Sequence, residues 1–347
     1  MADSPPLLYL APMQDVTDLT FMRVLTRFGG ADVYVTEYFR VHEASRPDPW
    51  ILRSIDENPT GKPIYAQMIG QDRTALVRTA QELLQHPVAG IDLNLGCPAP
   101  VVCKKEAGGG LLRNLPKIDA ILSDLREAIP RHFTVKTRIG YHTPEEFEAL
   151  LQLFSRHRID ALAIHARTVA EKYQTPIHPE YVAQAVATLP CPVIANGNIV
   201  NAAAGLAYHR QTAAAGLMIG RGAIRNPWIF DQLRAVFSGT LPTLPRCREL
   251  LDYVRCLYQE IAADTQQFDA LGHVQRMKKT MLFVTQGFAP EFEFQLRRAK
   301  TESEFDAICR DFLDHDAPVP DLPPENSRLF CGFSELLRPA VSQPSSR

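Results

Sequence analysis

Leu93-Asn94-Leu95-Gly96-Cys97-Pro98 has the form of a β-strand that ends on a polar residue and turns at once onto a cysteine. A run holding Lys104, Lys105 and Gly108-Gly109-Gly110 follows directly. If the strand belongs to a parallel barrel, the turn lies at the C-terminal mouth, where such barrels hold their chemistry. Cys97 then presents a thiol to a ligand. The alternative is a buried structural cysteine, the commoner fate of a lone one. The ends of the other strand-like runs bear on the choice. In order they carry Pro12, Met13 and Gln14; Glu37; Gln67; Asn94 and Cys97; Lys136 and Arg138; His165 and Arg167; Asn196, Gly197 and Asn198; and Gly220, Arg221 and Gly222. Polar and ionisable groups at every end are hard to account for by packing, because an unpaired buried polar group costs about 1–3 kcal/mol. They imply one large polar ligand site. The glycines at the last two ends stand where barrels bind phosphate through backbone N–H groups.

Alternation along a strand puts Lys136 and Arg138 on one face, so both can point into the mouth. A lysine there can form a Schiff base, or its charge can stabilise an anionic cofactor. A structural ion pair with Glu37 or Asp92 is the plainer alternative for Lys136, since buried charges are usually paired. His165 could be a satisfied core histidine, but its neighbour Arg167 and its place at a strand end favour ligand contact.

These side chains need a scaffold, and the sequence spaces one out. Eight short apolar, β-branched runs recur at Leu7–Met13, Ala31–Tyr38, Pro63–Gly70, Gly90–Cys97, Phe133–Gly140, Ala161–Thr168, Pro192–Ile199 and Gly216–Ala223. Most are continuous rather than alternating, as strands buried on both faces are. Helix-length segments separate them, opened by Thr143-Pro144-Glu145-Glu146, Gln71-Asp72 and Asn201-Ala202, each with an N-capping residue type. The pattern predicts an α/β fold, a (β/α)8 TIM barrel over residues 1–240. No Gly-x-Gly-x-x-Gly follows the first strand, which counts against a doubly wound sheet. From about Leu244 apolar residues recur at three- and four-residue intervals in Arg246–Ala263, His273–Gly287 and Ser303–Leu313, predicting a small helical bundle over 244–315. The Pro- and Ser-rich residues 316–347 are expected to be loosely held, although Phe330, Phe333 and Leu336-Leu337 could dock part of them.

The totals narrow the class. A chain of 347 residues with seven cysteines and no Cys-x-x-Cys pair is neither a disulfide framework nor a zinc module, and suits the cytoplasm. No signal peptide and no membrane span are evident in the sequence. The formal net charge of −2 means that any surface for nucleic acid must be local.

Taken together, Ala11-Pro12-Met13, Asp92-Leu-Asn-Leu-Gly-Cys-Pro98, Gly108-Gly-Gly-Leu-Leu112, Val135-Lys-Thr-Arg-Ile-Gly140, His165-Ala-Arg-Thr168, Ile194-Ala-Asn-Gly197 and Met218-Ile-Gly-Arg-Gly222 resemble the tRNA-dihydrouridine synthases. The resemblance runs in order from about Leu8 to Phe312. It implies an FMN-bearing barrel that reduces a uridine of folded tRNA with NADPH. By it, Pro12, Met13 and Gln14 line the isoalloxazine, Gln67 bonds its rim, Lys136 faces its N1/O2 edge and His165 helps to close the site. Asn196, Gly197, Asn198, Gly220 and Arg221 hold the phosphate. Cys97 is the general acid that protonates C5 of the uracil while hydride reaches C6, and Asn94 holds the uracil edge.

Thr36-Glu37-Tyr38-Phe39-Arg40 is similar to the second-strand motif of the bacterial dihydrouridine synthase C type, which acts at position 16 of the D-loop. That similarity makes Arg40, Arg138, Tyr173, Arg276, Lys278, Phe283 and Arg298 the implied substrate and tRNA contacts, and it implies a monomer. A solvated basic face is the alternative for the last helices' charges. Asn198, Lys172-Tyr173-Gln174 and the proline-rich tail depart from the family pattern. Three rivals are distinguishable: an FMN barrel reducing a free small molecule such as a pyrimidine, a Schiff-base aldolase built on Lys136, and a tRNA-binding protein without catalysis.

Overall fold

In the computed structural model, which describes residues 5–173, 175–264 and 269–331, each of the eight runs contains a strand. They are β1 (Leu7–Leu10), β2 (Val33–Val35), β4 (Ile64–Ile69), β5 (Gly90–Leu95), β6 (His132–Arg138), β7 (Ala161–His165), β8 (Val193–Asn196) and β9 (Gly216–Ile219). A short strand not foreseen, β3 (Phe39–Arg40), pairs with the far end of β4. All pairings are parallel, and β2 pairs with both β1 and β4, which closes the barrel. The strands stop one to four residues before the runs do, so Gln67, Asn94, Lys136, Arg138, His165 and Asn196 stand within the strands, while Gln14, Glu37, Cys97, Arg167, Asn198 and Arg221 lie just past their ends at the mouth.

Two apolar layers hold the barrel. Leu8, Leu10, Ile91, Leu93, Val135 and Leu217 belong to the large cluster packed with the surrounding helices. Ala11, Val35, Ala163, Ile194 and Met218 form a separate small cluster flanked by Tyr9 and Tyr65. These residues sit on alternating strand positions, as a filled barrel interior requires. Asp72 and Asn201 cap their helices as expected, accepting from Ala75 N at 2.7 Å and Ala204 N at 2.8 Å. Thr143 does not cap its helix. The Glu146 carboxylate reaches back to accept the Tyr141 N–H at 2.6 Å, bracing the loop ahead of the helix.

After the barrel come helices Cys247–Ala263, Ala270–Val284, Pro290–Leu296 and Glu302–Leu313. The bundle is joined to the barrel by more than apolar contact. Tyr253 donates to the Ile224 carbonyl at 2.9 Å, and Phe28, Trp228 and Tyr253 stack edge-on with centroids 5.0–6.2 Å apart. Arg53 pairs with Asp264 at 3.0 Å, Arg27 with Glu260, and Arg276 with Asp18.

The described part of the C-terminal segment departs from the expectation of a loosely held tail. Residues 317–331 run back over the bundle and the barrel: Pro318 bridges to Arg246, and Val319, Arg328 and Leu329 are buried. Arg225, itself buried, donates to the carbonyls of Gln286, Pro320 and Asp321. Prolines block helix and sheet here, and a buried guanidinium supplies the donors that the freed carbonyls need. Phe330 packs on the core, whereas Gln174, Phe333 and Leu336-Leu337 lie outside the described residues. Among the described residues no helix is long and apolar enough to cross a membrane. Replacing Arg225 by Met orphans three carbonyls and is expected to lower unfolding stability by about 3 kcal/mol, measured by urea denaturation. Limited proteolysis of that variant is expected to cut first within 317–331.

Candidate active site

A cavity of about 580 Å3 opens at the C-terminal mouth of the barrel. It is lined by residues from the strand ends, among them Pro12, Met13, Gln14, Asn94, Cys97, Lys136, Arg138, His165, Tyr173, Asn196, Gly197, Asn198, Gly220 and Arg221. The structure thus brings together ten of the eleven residues expected around a cofactor. Gln67 is the exception. It is fully buried below the mouth, its amide nitrogen donating to Asp92 Oδ2 at 2.8 Å and its oxygen accepting from Asn94 Nδ2 at 2.8 Å.

That arrangement accounts for the placing of the cysteine. Thr134 Oγ1 donates to Asp92 Oδ1 at 2.6 Å, which fixes the carboxylate that orients Gln67. Gln67 in turn orients the Asn94 carboxamide, whose oxygen accepts the N–H groups of Gly96 and Cys97, both at 3.0 Å. Asn94 lines the cavity, but its oxygen is committed to the turn, so its first task is to hold Cys97 rather than a ligand edge. From the other side, the Cys97 carbonyl accepts the Gly109 N–H at 3.1 Å. A side chain at Gly109 would meet that carbonyl at 2.9 Å and Val169 at 2.7 Å, which accounts for a glycine there. The Gly108–Arg113 turn is therefore a buried support for the cysteine, while Lys104 and Lys105 are exposed.

Arg138 is also a scaffold. Its side chain is 1% exposed and donates to the carbonyls of Gly96 at 2.9 Å, Thr168 at 2.8 Å and Lys172 at 2.7 Å. It ties the Cys97 turn to the loop carrying Tyr173, so the expected substrate contact is largely used inside the protein. The Tyr173 ring centre lies 5.1 Å from the Arg138 guanidinium and 4.5 Å from that of Arg221, and the ring stands edge-on to His165.

Electrostatically the mouth is a crowd of cations. Among the described residues Lys136 makes no ion pair with Glu37 or Asp92, and burial, then Arg138, pulls its ammonium down to about 8. Burial, then Arg221 and Arg138, pulls Arg167 down to about 10. Burial and the surrounding Arg138, Lys136, Arg167 and Arg221 hold His165 far below its ordinary range, so it is neutral. Burial pushes Asp92 up, against the opposing pull of Thr134, Gln67 and Lys136. Buried polar atoms without a partner among the described residues cluster here too: Gln14 Oε1, His165 Nδ1 and Arg167 Nη1. Such groups are costly unless a ligand satisfies them. A flavin mononucleotide fits this set, with an amide and an imidazole for a polar ring system, cations for negative charge, and enough volume. Pro12, Met13, Gln14, Lys136 and His165 would hold the ring system. Gly197, Asn198, Gly220 and Arg221 would hold the phosphate, with Arg167 behind, bonded to Asn198 Oδ1 at 3.2 Å.

The expected RNA contacts divide. Arg40 is exposed at the rim, its guanidinium 5.4 Å from the ring of Tyr38, which lines the cavity. Arg298 is exposed and stacked on the exposed Phe294 at 3.5 Å. Lys278 donates to the Arg297 carbonyl at 3.0 Å and so caps a helix end. Phe283 cannot meet RNA where it stands: it is 1% exposed, because its helix is buried on more than one face. Arg276 points inward to Asp18, whose other oxygen caps helix Leu19–Thr26 through Phe21 N at 3.0 Å. Leu329, from the C-terminal segment, lines the cavity with no counterpart in the strand-end pattern.

The family model for dihydrouridine synthase (Dus) matches residues 9–316. The tRNA-dihydrouridine(16) synthase of Pseudomonas putida is 31% identical over 313 residues, covering 87% of this chain and 94% of its own. That of Pseudomonas syringae pv. tomato is 28% identical over 307 residues, covering 86% and 96%. Among solved structures, a 6-hydroxypseudooxynicotine amine oxidase from Pseudomonas geniculata aligns with a TM-score of 0.52 at 11% identity. It covers 67% of this chain and 47% of its own, a likeness of fold.

Two outcomes follow from the site. Asn94→Ala leaves the Gly96 and Cys97 N–H groups and the Gln67 oxygen unpaired. It is expected to cost about 2 kcal/mol by thermal denaturation and to speed alkylation of Cys97. Lys136 is charged below about pH 8, and an anionic ligand would raise that value. Affinity for FMN is therefore expected to be level just below pH 8 and to fall as pH rises through it; in Lys136→Met that fall is lost.

Proposed function

The chain belongs to the dihydrouridine synthase family, and from that premise we propose that it reduces uridine to 5,6-dihydrouridine in tRNA, with FMN as cofactor and NADPH as electron source. The observation that carries the reading is the cavity in which Cys97, held on its turn from two sides, shares the mouth with Lys136 and the partnerless polar atoms of Gln14 and His165. When bound, FMN supplies the hydride that C6 of the uracil receives. The protein supplies the rest. Lys136 keeps negative charge bound at the floor of the site, and the neutral His165 offers a hydrogen bond without adding a further cation. The Cys97 thiol gives its proton to C5, so that the base gains two hydrogens across one C=C bond, and the thiolate recovers its proton from solvent. The Asp92–Gln67–Asn94 chain holds that sulfur-bearing turn in register with the mouth, so its orientation is set by buried hydrogen bonds before substrate arrives.

The target base has to leave the tRNA stack to reach such a cavity, at a cost of a few kcal/mol. In this reading the exposed Arg40 at the rim and Arg298 on Phe294 hold the backbone and offset that cost. Arg276, by contrast, serves the substrate by fixing the bundle to the Asp18 end of the loop that carries Met13 and Gln14. The division of labour is a cofactor-binding barrel over 1–240 and a tRNA-binding bundle over 244–315. Position 16 is supported by the names of the relatives that align with this chain over nearly their full length, and the C-type branch rests on the second-strand motif alone.

Treating unmodified tRNA with the flavin-loaded protein and NADPH, then mapping nucleosides by mass spectrometry, tests the reading. A gain of two hydrogens on uridine 16 is expected with the wild type, reduced at least about a hundredfold in Cys97→Ala, as loss of a general acid predicts. A yellow, NADPH-reducible protein that leaves every tRNA unchanged would sink it.

A further inference from the structure

The C-terminal segment 317–331 is held at both ends and in its middle. Cys247 N donates to the Ala317 carbonyl and Val319 N to the Pro245 carbonyl, both at 2.9 Å. Asn201 Nδ2 donates to Asp321 Oδ2 at 2.7 Å, beside the two carbonyls that Arg225 takes. Beyond these, the Arg328 N–H donates to Gln286 Oε1 at 3.3 Å, and its guanidinium pairs with Glu293 at 2.7 Å. This much anchoring delivers one small piece of chain to the mouth. The Arg328 carbonyl accepts from Arg221 Nη1 at 2.9 Å, and the next side chain, Leu329, is 1% exposed and lines the cavity.

We propose that the segment is a strap belonging to the cofactor site, and that Leu329 is a further flavin-binding residue that walls the end of the cavity formed by Gly220-Arg221-Gly222. The inference rests on the flavin reading above. Two effects follow from the geometry. Leu329 keeps water from the cationic end of the cavity, where exclusion of water strengthens every charge interaction with an anion. The Arg328 carbonyl meanwhile fixes one arm of Arg221, so that the guanidinium is already in place before a ligand arrives, which lowers the entropic cost of binding. The strap is also attached to helix Pro290–Leu296 through Glu293, which pairs with Arg297 as well. The wall of the cofactor site and the bundle thus share one anchor.

The test is the dissociation constant for FMN, read from flavin fluorescence quenching with the full-length chain. Leu329→Ser is expected to bind about tenfold more weakly, the effect of losing one apolar wall. Leu329→Met, which keeps size and polarity, is expected to stay within about threefold of the wild type. Leu322→Ser, on the same segment but 63% exposed, is expected to change nothing. Leu329→Phe keeps the buried contacts and adds a ring that the cavity can accommodate only at the ligand's expense, so it too is expected to weaken FMN. Urea midpoints of the flavin-free variants separate folding from binding. A folded Leu329→Ser or Leu329→Phe that binds FMN as the wild type does would overturn the assignment. A wild-type chain that binds no FMN would instead contradict the flavin reading, a result no variant can mimic.

Discussion

The constraint on which the site depends is the gathering of Lys136, Arg138, Arg167 and Arg221 around one largely buried cavity. Charges taken out of water need partners, and each of these four meets the requirement differently. Arg138 is satisfied by three backbone carbonyls, and Arg221 by Arg328 and the face of Tyr173. Among the described residues, Arg167 keeps one nitrogen without a partner, and Lys136 has neither an ion pair nor a hydrogen bond. Arg138 is therefore satisfied within the protein, Arg221 is fixed in place at the cavity wall, and Lys136 and one nitrogen of Arg167 have no partner among the described residues. An anionic occupant is the physical complement of that imbalance.

Around this arrangement the protein uses its polar groups for orientation. A chain of buried hydrogen bonds runs from Thr134 through Asp92, Gln67 and Asn94 to the Cys97 turn, and the same turn is approached by Arg138 from the end of β6 and by Gly109 from the Gly108–Arg113 turn. Each link fixes the amide orientation of the next, so the cysteine's place is set by strands β4, β5 and β6 together. The bundle joins in through Arg276 and Asp18, close to the loop that carries Met13 and Gln14. The bundle is thus mechanically continuous with the walls of the cavity.

The barrel was legible in the sequence because strands buried on both faces leave continuous apolar runs, and because helix caps such as Asp72 and Asn201 mark the intervening helices. The mouth was legible because polar residues at the ends of such runs are too costly to bury without a partner or a ligand to meet them. What the pattern could not convey is which way a polar side chain directs its bonds. Gln67, Asn94 and Arg138 stand where strand ends predict, yet Gln67 serves the turn alone and Arg138 serves neighbouring carbonyls. Helical periodicity likewise marks Val274, Met277 and Met281 as core, but not that Phe283 on the same helix is buried as well. Leu329 left no local signal at all. Its role comes from a path through proline-rich chain that only the donors of Arg225 and Asn201 make visible.

The proposed reading turns on Lys136, which shares the cavity with Cys97 and would meet the charge of an anionic cofactor. The most direct measurement is the reduction potential of FMN bound to the wild type and to Lys136→Met, determined spectroscopically in the absence of tRNA. Loss of the ammonium is predicted to move the potential to more negative values, because the anionic reduced form loses more stabilisation than the neutral oxidised one. Equal potentials in the two proteins, with FMN bound stoichiometrically in both, would contradict that assignment and return Lys136 to a structural role.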